Sequence, residues 1–373
     1  MKIPLSAPDI TEAEIEAVVA VLRTPRLSLG PVSEHFEAAV ATYVSVPHAV
    51  AVSSGTAGLH LCFRALDIGE GDEVIVPSFA FIAAANVIRY ERATPVFADI
   101  DPETLNIDPQ RIEEAVTPRT RAILVVHNFG IPADISTILE IAERHGLLVI
   151  EDACEAIGAE HCGRKVGSMG HAGVFAFYPN KQITTGEGGM VVTRDESLAR
   201  RIRALRNQGR YETDDWFQHS ELGYNYRISE INCALGLAQM SRLEEILQKR
   251  ETVASAYGHR LSQYQALTLP PLSVPNGRVS WFVYVVRVNN RAHLERDAVM
   301  RGLAAAGIAS GRYFAPIHLQ PSYAAWRHSA KLPVTEAEAS RTIALPFFNN
   351  LEAGAMDTVC DTLGRVLSSR QVR

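Results

Sequence analysis

Cysteine is scarce and unpatterned: five in 373 residues, at Cys62, Cys154, Cys162, Cys233 and Cys360. None falls at a metal-ligand or C-x-x-C spacing, and an odd count argues against a disulfide framework, so reduced thiols are expected. No apolar run approaches the ~18–20 residues of a membrane span. The stretch Met1–Asp9 lacks the cationic region and apolar run of a secretory signal. A basic stripe is missing too: the net charge is −6 and the charges are interspersed, which leaves nothing to track a nucleic-acid backbone. Repeats and low-complexity tracts are absent. What remains is ordinary for a globular enzyme, 47% hydrophobic and 21% charged, with length for one large domain and a smaller one. The expectation is a cytoplasmic enzyme that binds no metal, nucleic acid or membrane.

Along the chain, Thr11 stands three residues before Glu14, a capping-box spacing, and opens an amphipathic helix over 11–23. A break at S-L-G-P (28–31) precedes a second helix, from Ser33 to about Tyr43. The pattern then alternates. Strands are predicted at His48–Val52, Glu73–Pro77, Pro95–Ala98, Ala122–His127 and Leu147–Ile150. Between them fall helices at Thr56–Leu66, Ala80–Tyr90, Pro109–Val116 and Ile135–His145. Continuous apolar strands alternating with short helices indicate an α/β fold with a mostly parallel sheet covered on both faces. Ser197–Asn207 and most of Ile228–Arg260 read as helix. After the break T-L-P-P-L-S-V-P-N-G (268–277) come a long strand, Val279–Val288, and helices at Ala292–Ala306 and Gly354–Leu367. This change predicts a large domain over 1–249 and a smaller α+β domain over 250–373.

Chemistry concentrates between Gly173 and Thr193. Two apolar runs, Val174–Tyr178 and Met190–Thr193, flank a Gly-rich polar centre that holds Lys181. A lysine displayed between buried strands is suited to act as an amine nucleophile and to form a Schiff base with an aldehyde; a surface lysine in a hairpin loop is the plainer alternative. In V-A-V-S-S-G-T-A-G-L-H-L (50–61) a strand opens directly into a helix at Gly55 and Thr56. Small side chains there let an anion reach the N–H groups of a helix N-terminus, although the same pattern also describes a common Ser/Thr N-cap. E-D-A-C-E (151–155) ends a buried strand, where ligands of parallel sheets gather. Asp152 there needs a cation or several donors, or else caps the next helix. In P-S-F-A-F (77–81), Phe81 could stack on a planar ring or belong to the core. G-Y-N-Y-R-I-S-E-I (223–231) places Asn225 and Arg227 among tyrosines, before a helix capped by Ser229.

Taken in order, these motifs resemble those of the DegT family of pyridoxal-phosphate (PLP) nucleotide-sugar aminotransferases, over essentially the full chain. The likeness includes I-P-L-S-A-P-D-I-T, L-S-L-G-P, S-S-G-T-A, P-S-F-A-F, E-D-A-C-E, K-Q-I-T-T-G-E-G-G-M, G-Y-N-Y-R and F-A-P-I-H (314–318). The resemblance implies the PLP-dependent fold type I, a homodimer with shared active sites and L-glutamate as amino donor. It makes Lys181 the Schiff-base lysine and Asp152 the partner of the pyridine nitrogen. Phe81 would stack on the ring, and Gly55, Thr56 and Ala57 would hold the phosphate. Glu155 would lie against the cofactor, Asn225 would reach the neighbouring subunit's phosphate, and His318 would lie near the sugar. Two positions depart from many members: Glu155 stands where Gln or His is common, a Glu variant that resembles that of the perosamine synthases, and Ala176 stands where a phosphate-binding Ser is common. I-T-T-G-E-G-G-M resembles the C4-aminating branch, so a nucleotide-linked 4-keto-6-deoxyhexose is the expected acceptor. A 3-keto sugar, a cyclitol ketone and a non-catalytic PLP-binding regulator are the alternatives.

Overall fold

The computed structural model describes residues 2–326 and 331–369. Its framework is a seven-stranded sheet: β1 (His48–Val52), β2 (Glu73–Pro77), β3 (Thr94–Ala98), β4 (Thr120–Val126), β5 (Leu148–Asp152), β6 (Ala172–Ala176) and β7 (Gly189–Thr193). Their order across the sheet is β1-β7-β6-β5-β4-β2-β3. Neighbours from β3 to β6 pair in parallel, and β7 alone runs antiparallel to both of its neighbours. Successive side chains point to opposite faces. Val74 and Val76 therefore join one apolar cluster with Leu124, Ile150 and Val174, while Ile75 joins another with Ile123, Val125 and Val149. Both faces are buried, and alternation is lost from the sequence for that reason.

Helices α1 (Glu12–Leu22), α2 (Pro31–Val44), α3 (Gly55–Ala65), α4 (Ala83–Tyr90), α5 (Pro109–Ala115), α6 (Ile135–His145), α7 (Glu196–Arg206) and α8 (Glu230–Ser241) accompany the sheet. Beyond them α9 (Leu243–Leu261) changes partners along its length. Leu243, Ile246 and Leu247 pack with β1, β6 and β7 residues, whereas Val253, Ala254, Tyr257 and Leu261 enter a second core. That core is built on a small antiparallel sheet, β8 (Leu267–Thr268), β9 (Tyr284–Val288) and β10 (Thr342–Leu345), in the order β8-β9-β10. Helices α10 (Arg296–Ala305) and α11 (Pro333–Ala339) flank this region, and α10 and α12 (Ala353–Ser368) contribute Val299, Leu303, Val359 and Leu363 to the core. Ile3 belongs to the second core as well, because it pairs with Ile308.

Strands β1 and β2 and helix α6 have the predicted limits, and most other elements fall within a few residues of them. The expected helix Ala80–Tyr90 begins only at Ala83. The expected strand Val279–Val288 is a larger departure, since only Tyr284–Val288 is strand in the small sheet. Residues 280–282 turn aside to bond a distant loop. The Ser280 N–H donates to the Gly130 carbonyl (2.9 Å) and the Phe282 N–H to the Phe129 carbonyl (3.1 Å). Trp281 between them has φ 49°, outside the strand region. All five cysteines are free. Among the described residues no helix is long and apolar enough to cross a membrane.

Candidate active site

Three elements meet at one end of the large sheet: the carboxyl end of β5, the amino end of α3 and the loop from β6 to β7. Strand period separates the two acids that end β5. Glu151 points into the protein, where its carboxylate accepts the N–H groups of Gly167 (2.7 Å), Met169 (2.7 Å) and Gly170 (2.6 Å). It also accepts from His127 Nε2 (3.0 Å), whose Nδ1 accepts the Ala133 N–H and is therefore unprotonated. Burial raises the Glu151 pKa, but His127 and the backbone donors outweigh it and hold the carboxyl below its usual range. This buried clasp fixes the strand end that carries Asp152.

Asp152 has far less support. It is buried, and one carboxylate oxygen accepts the Cys154 N–H at 3.1 Å. Burial pushes its pKa up, and the Cys154 bonds and the Lys181 charge offset this only in part. Glu155, three residues on in the turn that follows β5, is buried too and is likewise pushed up by burial, against the Lys181 charge and the Phe129 N–H. Its Oε2 accepts the Phe129 N–H at 3.0 Å, and its Oε1 lies 3.3 Å from Lys181 Nζ.

Lys181 sits in the loop between β6 and β7, whose base is held by the Ala176–Gly189 pairing. Its side chain is 13% exposed, and Nζ lies 3.9 Å from the centre of the Phe282 ring. Next to it, Gln182 Nε2 donates to the Glu155 carbonyl (2.7 Å) and to Ser280 Oγ (3.0 Å).

At the mouth of α3, the Ser54 hydroxyl accepts the Ala57 N–H at 3.0 Å, an N-cap. Gly55 must be glycine, since a Cβ there would come within 2.7 Å of Ala176 Cβ and 2.8 Å of Cys154 Sγ. Ala176, Cys154 and the first turn of α3 therefore share one small space. The Tyr224–Tyr226 segment is strapped over the same helix: the Tyr226 carbonyl accepts the Ser53 N–H, and His60 bridges Tyr226 Oη (3.1 Å) and Glu91 (2.8 Å).

Of the residues singled out by sequence, Lys181, Glu155, Asp152, Gly55 and Ala176 are thus brought together. Thr56 and Ala57 follow in the first turn of α3. Phe81, in the loop after β2, has 60% of its surface exposed, and Asn225 is exposed in the segment that bridges to Asn207. His318 is fully buried, with Nδ1 against Ser78 Oγ (2.7 Å) and Nε2 against Glu336 (3.3 Å). In this structure it holds the residue after β2 and offers solvent no ring nitrogen. Among the described residues, no hydrogen bond or ion pair joins Phe81, Asn225 or His318 to Lys181. Sequence reasoning missed Glu151, His127, Phe129 and Phe282. Glu151 carried the one usable signal, a second acid beside Asp152 on a strand of alternate facing.

A partly buried lysine thus faces the buried Glu155 carboxyl, with the buried Asp152 carboxyl and the amino end of α3 close by, on a mostly parallel sheet. The chain belongs to the DegT/DnrJ/EryC1/StrS aminotransferase family, whose model matches residues 8–364. It is 42% identical to a GDP-perosamine synthase of Caulobacter vibrioides, over 98% of each chain. Among solved structures it resembles DesV of S. venezuelae, determined in complex with a ketimine intermediate, with a TM-score of 0.90, 35% identity and 99% of each chain covered. The PLP form of the putative sugar aminotransferase Spr1654 of Streptococcus pneumoniae matches with a TM-score of 0.92 and 28% identity, over 98% of each chain. The protein is an enzyme of a sugar-aminotransferase family with the α/β fold of its PLP-dependent neighbours.

Proposed function

We propose that this enzyme uses PLP to move the amino group of L-glutamate onto C4 of a nucleotide-linked 4-keto-6-deoxyhexose. The observation that carries the proposal is the Lys181–Glu155 contact beside Asp152, at the mouth of α3. These residues fit the cofactor. Asp152 is a buried carboxylate with few donors, suited to a protonated pyridine nitrogen. The N–H groups of Gly55 and Thr56, at the start of α3, have no acceptor within the helix and suit a phosphate, while Ser54 holds that of Ala57. When bound, PLP supplies an electron sink for the electron pair left at the donor's α-carbon.

This chain's residues do the rest. Lys181 anchors the cofactor and, once free, takes the proton from the α-carbon of the amino donor. Gly55 and Thr56 hold the phosphate at the amino end of α3, with Ala176 supplying no hydroxyl where many relatives have a serine. The open face of Phe81 is available to stack on the ring. Exposed Asn225 fits the expectation that a second copy of the chain completes each site. His318 acts from behind the site by holding Ser78, rather than by touching sugar.

The likeness to GDP-perosamine synthase makes a GDP-linked 4-keto sugar the first acceptor to test. The protein would be loaded with PLP, given L-glutamate, and then offered 4-keto and 3-keto nucleotide sugars and cyclitol ketones. Product aminated at C4 is expected. Amination at C3 alone, or of a cyclitol alone, refutes the choice of acceptor. If glutamate leaves the visible absorbance of the loaded protein unchanged, the non-catalytic alternative gains. Lys181→Ala is expected to abolish turnover.

A further inference from the structure

Among the described residues, Lys181 Nζ has two close neighbours, and only one is a carboxylate. Glu155 Oε1 lies 3.3 Å away, and the Phe282 ring centre lies 3.9 Å away. Asp152 and Cys154 are the other titratable groups coupled to the lysine, and Tyr313 is coupled to Glu155. An aromatic face carries negative charge and attracts a cation, the more so when water is excluded. Phe282 is itself fully buried.

The backbone aims this ring with unusual care. Phe129 donates its N–H to Glu155 and accepts the Phe282 N–H on its carbonyl, so one residue registers both neighbours of the lysine. Phe129 has φ 61°, and Gly130 after it has φ 83°. A Cβ on Gly130 would come within 2.7 Å of Trp281 N. From the other side, buried Arg250 donates to the Trp281 carbonyl (2.6 Å) and the Phe282 carbonyl (2.7 Å). Segment 280–282 gives up the small sheet to make these bonds.

We propose that Phe282 is a positioning residue for Lys181: its ring face and the Glu155 carboxylate form a seat that holds the lysine amine whenever it is not covalently engaged. The seat keeps the freed base beside the donor's α-carbon. It also stabilises the ammonium that exists after the proton has been taken. The proposal rests on Lys181 being the reacting lysine.

The test separates charge from shape. Phe282 is replaced by pentafluorophenylalanine, which keeps the ring but reverses the sign of its face, and separately by Leu and by Tyr. In each apoprotein the acetylation of Lys181 by acetic anhydride at neutral pH is followed by mass spectrometry, with the remaining lysines as internal reference. The fluorinated and Leu forms are expected to acetylate Lys181 from a few-fold up to about thirty-fold faster, the range for losing a cation–π contact. Phe282→Tyr should stay near wild type. With PLP and glutamate, kcat should fall in the fluorinated form while KM for glutamate holds. Equal labelling and equal kcat in wild-type and fluorinated protein, with Lys181→Ala inactive, overturn the seat. An active Lys181→Ala variant overturns the underlying role of the lysine, and the seat loses its purpose even if the labelling contrast persists.

Discussion

Asp152 and Glu155 lie three residues apart and burial pushes both upward, yet their surroundings assign them different tasks. Glu155 already has a cation and a backbone donor, whereas Asp152 has room for another donor. Asp152→Asn should therefore cut turnover by about a hundredfold or more, on the scale of losing one preorganised electrostatic partner. Direct assay of amino-sugar formation checks this. The ligand needs the carboxylate, and the folded pKa is raised, so PLP affinity should weaken as pH falls, at a pH above the ordinary aspartate range. A titration of PLP binding against pH should show this limb in the wild type and lose it in Asp152→Asn. Lys181, Asp152 and Gly55 were legible in the sequence because each interrupts an apolar run or opens a helix. Phe282 and Phe129 were not, since an aromatic in an apolar stretch reads the same whether it fills a core or faces a lysine. Their partners are 101 and 26 residues away, and no local period records such distances.

Helix α1 shows what a local motif can and cannot reveal. The capping box was legible, and the Thr11 N–H does donate to Glu14 (2.7 Å). Hidden from the sequence was that Glu14 is also the buried anchor of α1 on α8, accepting from Gln239 (2.8 Å) and Arg242 (2.8 Å). Burial raises its pKa, but the bonds from Thr11, Gln239 and Arg242 outweigh this and lower it to about 2 from 4.5. A carboxyl depressed in the folded state stabilises it fully above pH 4.5 and loses that contribution as pH falls towards 2, roughly 3 kcal/mol in all. Glu14→Gln should flatten the acid side of the stability curve measured by urea denaturation. At the Phe129–Gly130 turn, Gly130→Ala sets a Cβ against Trp281 N at a positive φ. A loss of at least about 2 kcal/mol is expected there by the same measurement. The over-long strand predicted at 279–288 failed for a related reason: its apolar pattern was right, but tertiary bonds to this turn outbid the sheet.

We propose that residues 1–249 and 250–373 form two domains, and that they do not unfold separately. Helix α9 is buried in both cores, Ile3 pairs with Ile308, and Arg250 sits at the crossing. Calorimetry should show one transition, and two resolved transitions would refute the coupling. Arg250→Met, which leaves the Trp281 and Phe282 carbonyls without their donor, should lower stability by about 3 kcal/mol or more. It should also slow turnover by releasing Phe282. The alternation of strands and helices made the large sheet legible, whereas the second core was only sketched, because β8 and β10 are two and four residues long. The Phe129 peptide has a consequence that amide hydrogen exchange can register. Its N–H is closed by the Glu155 carboxylate, in the turn after β5, and its carbonyl by the N–H of Phe282. Deuterium should therefore enter the amides of Phe129 and Phe282 at one shared rate, because neither can reach water until the same turn opens.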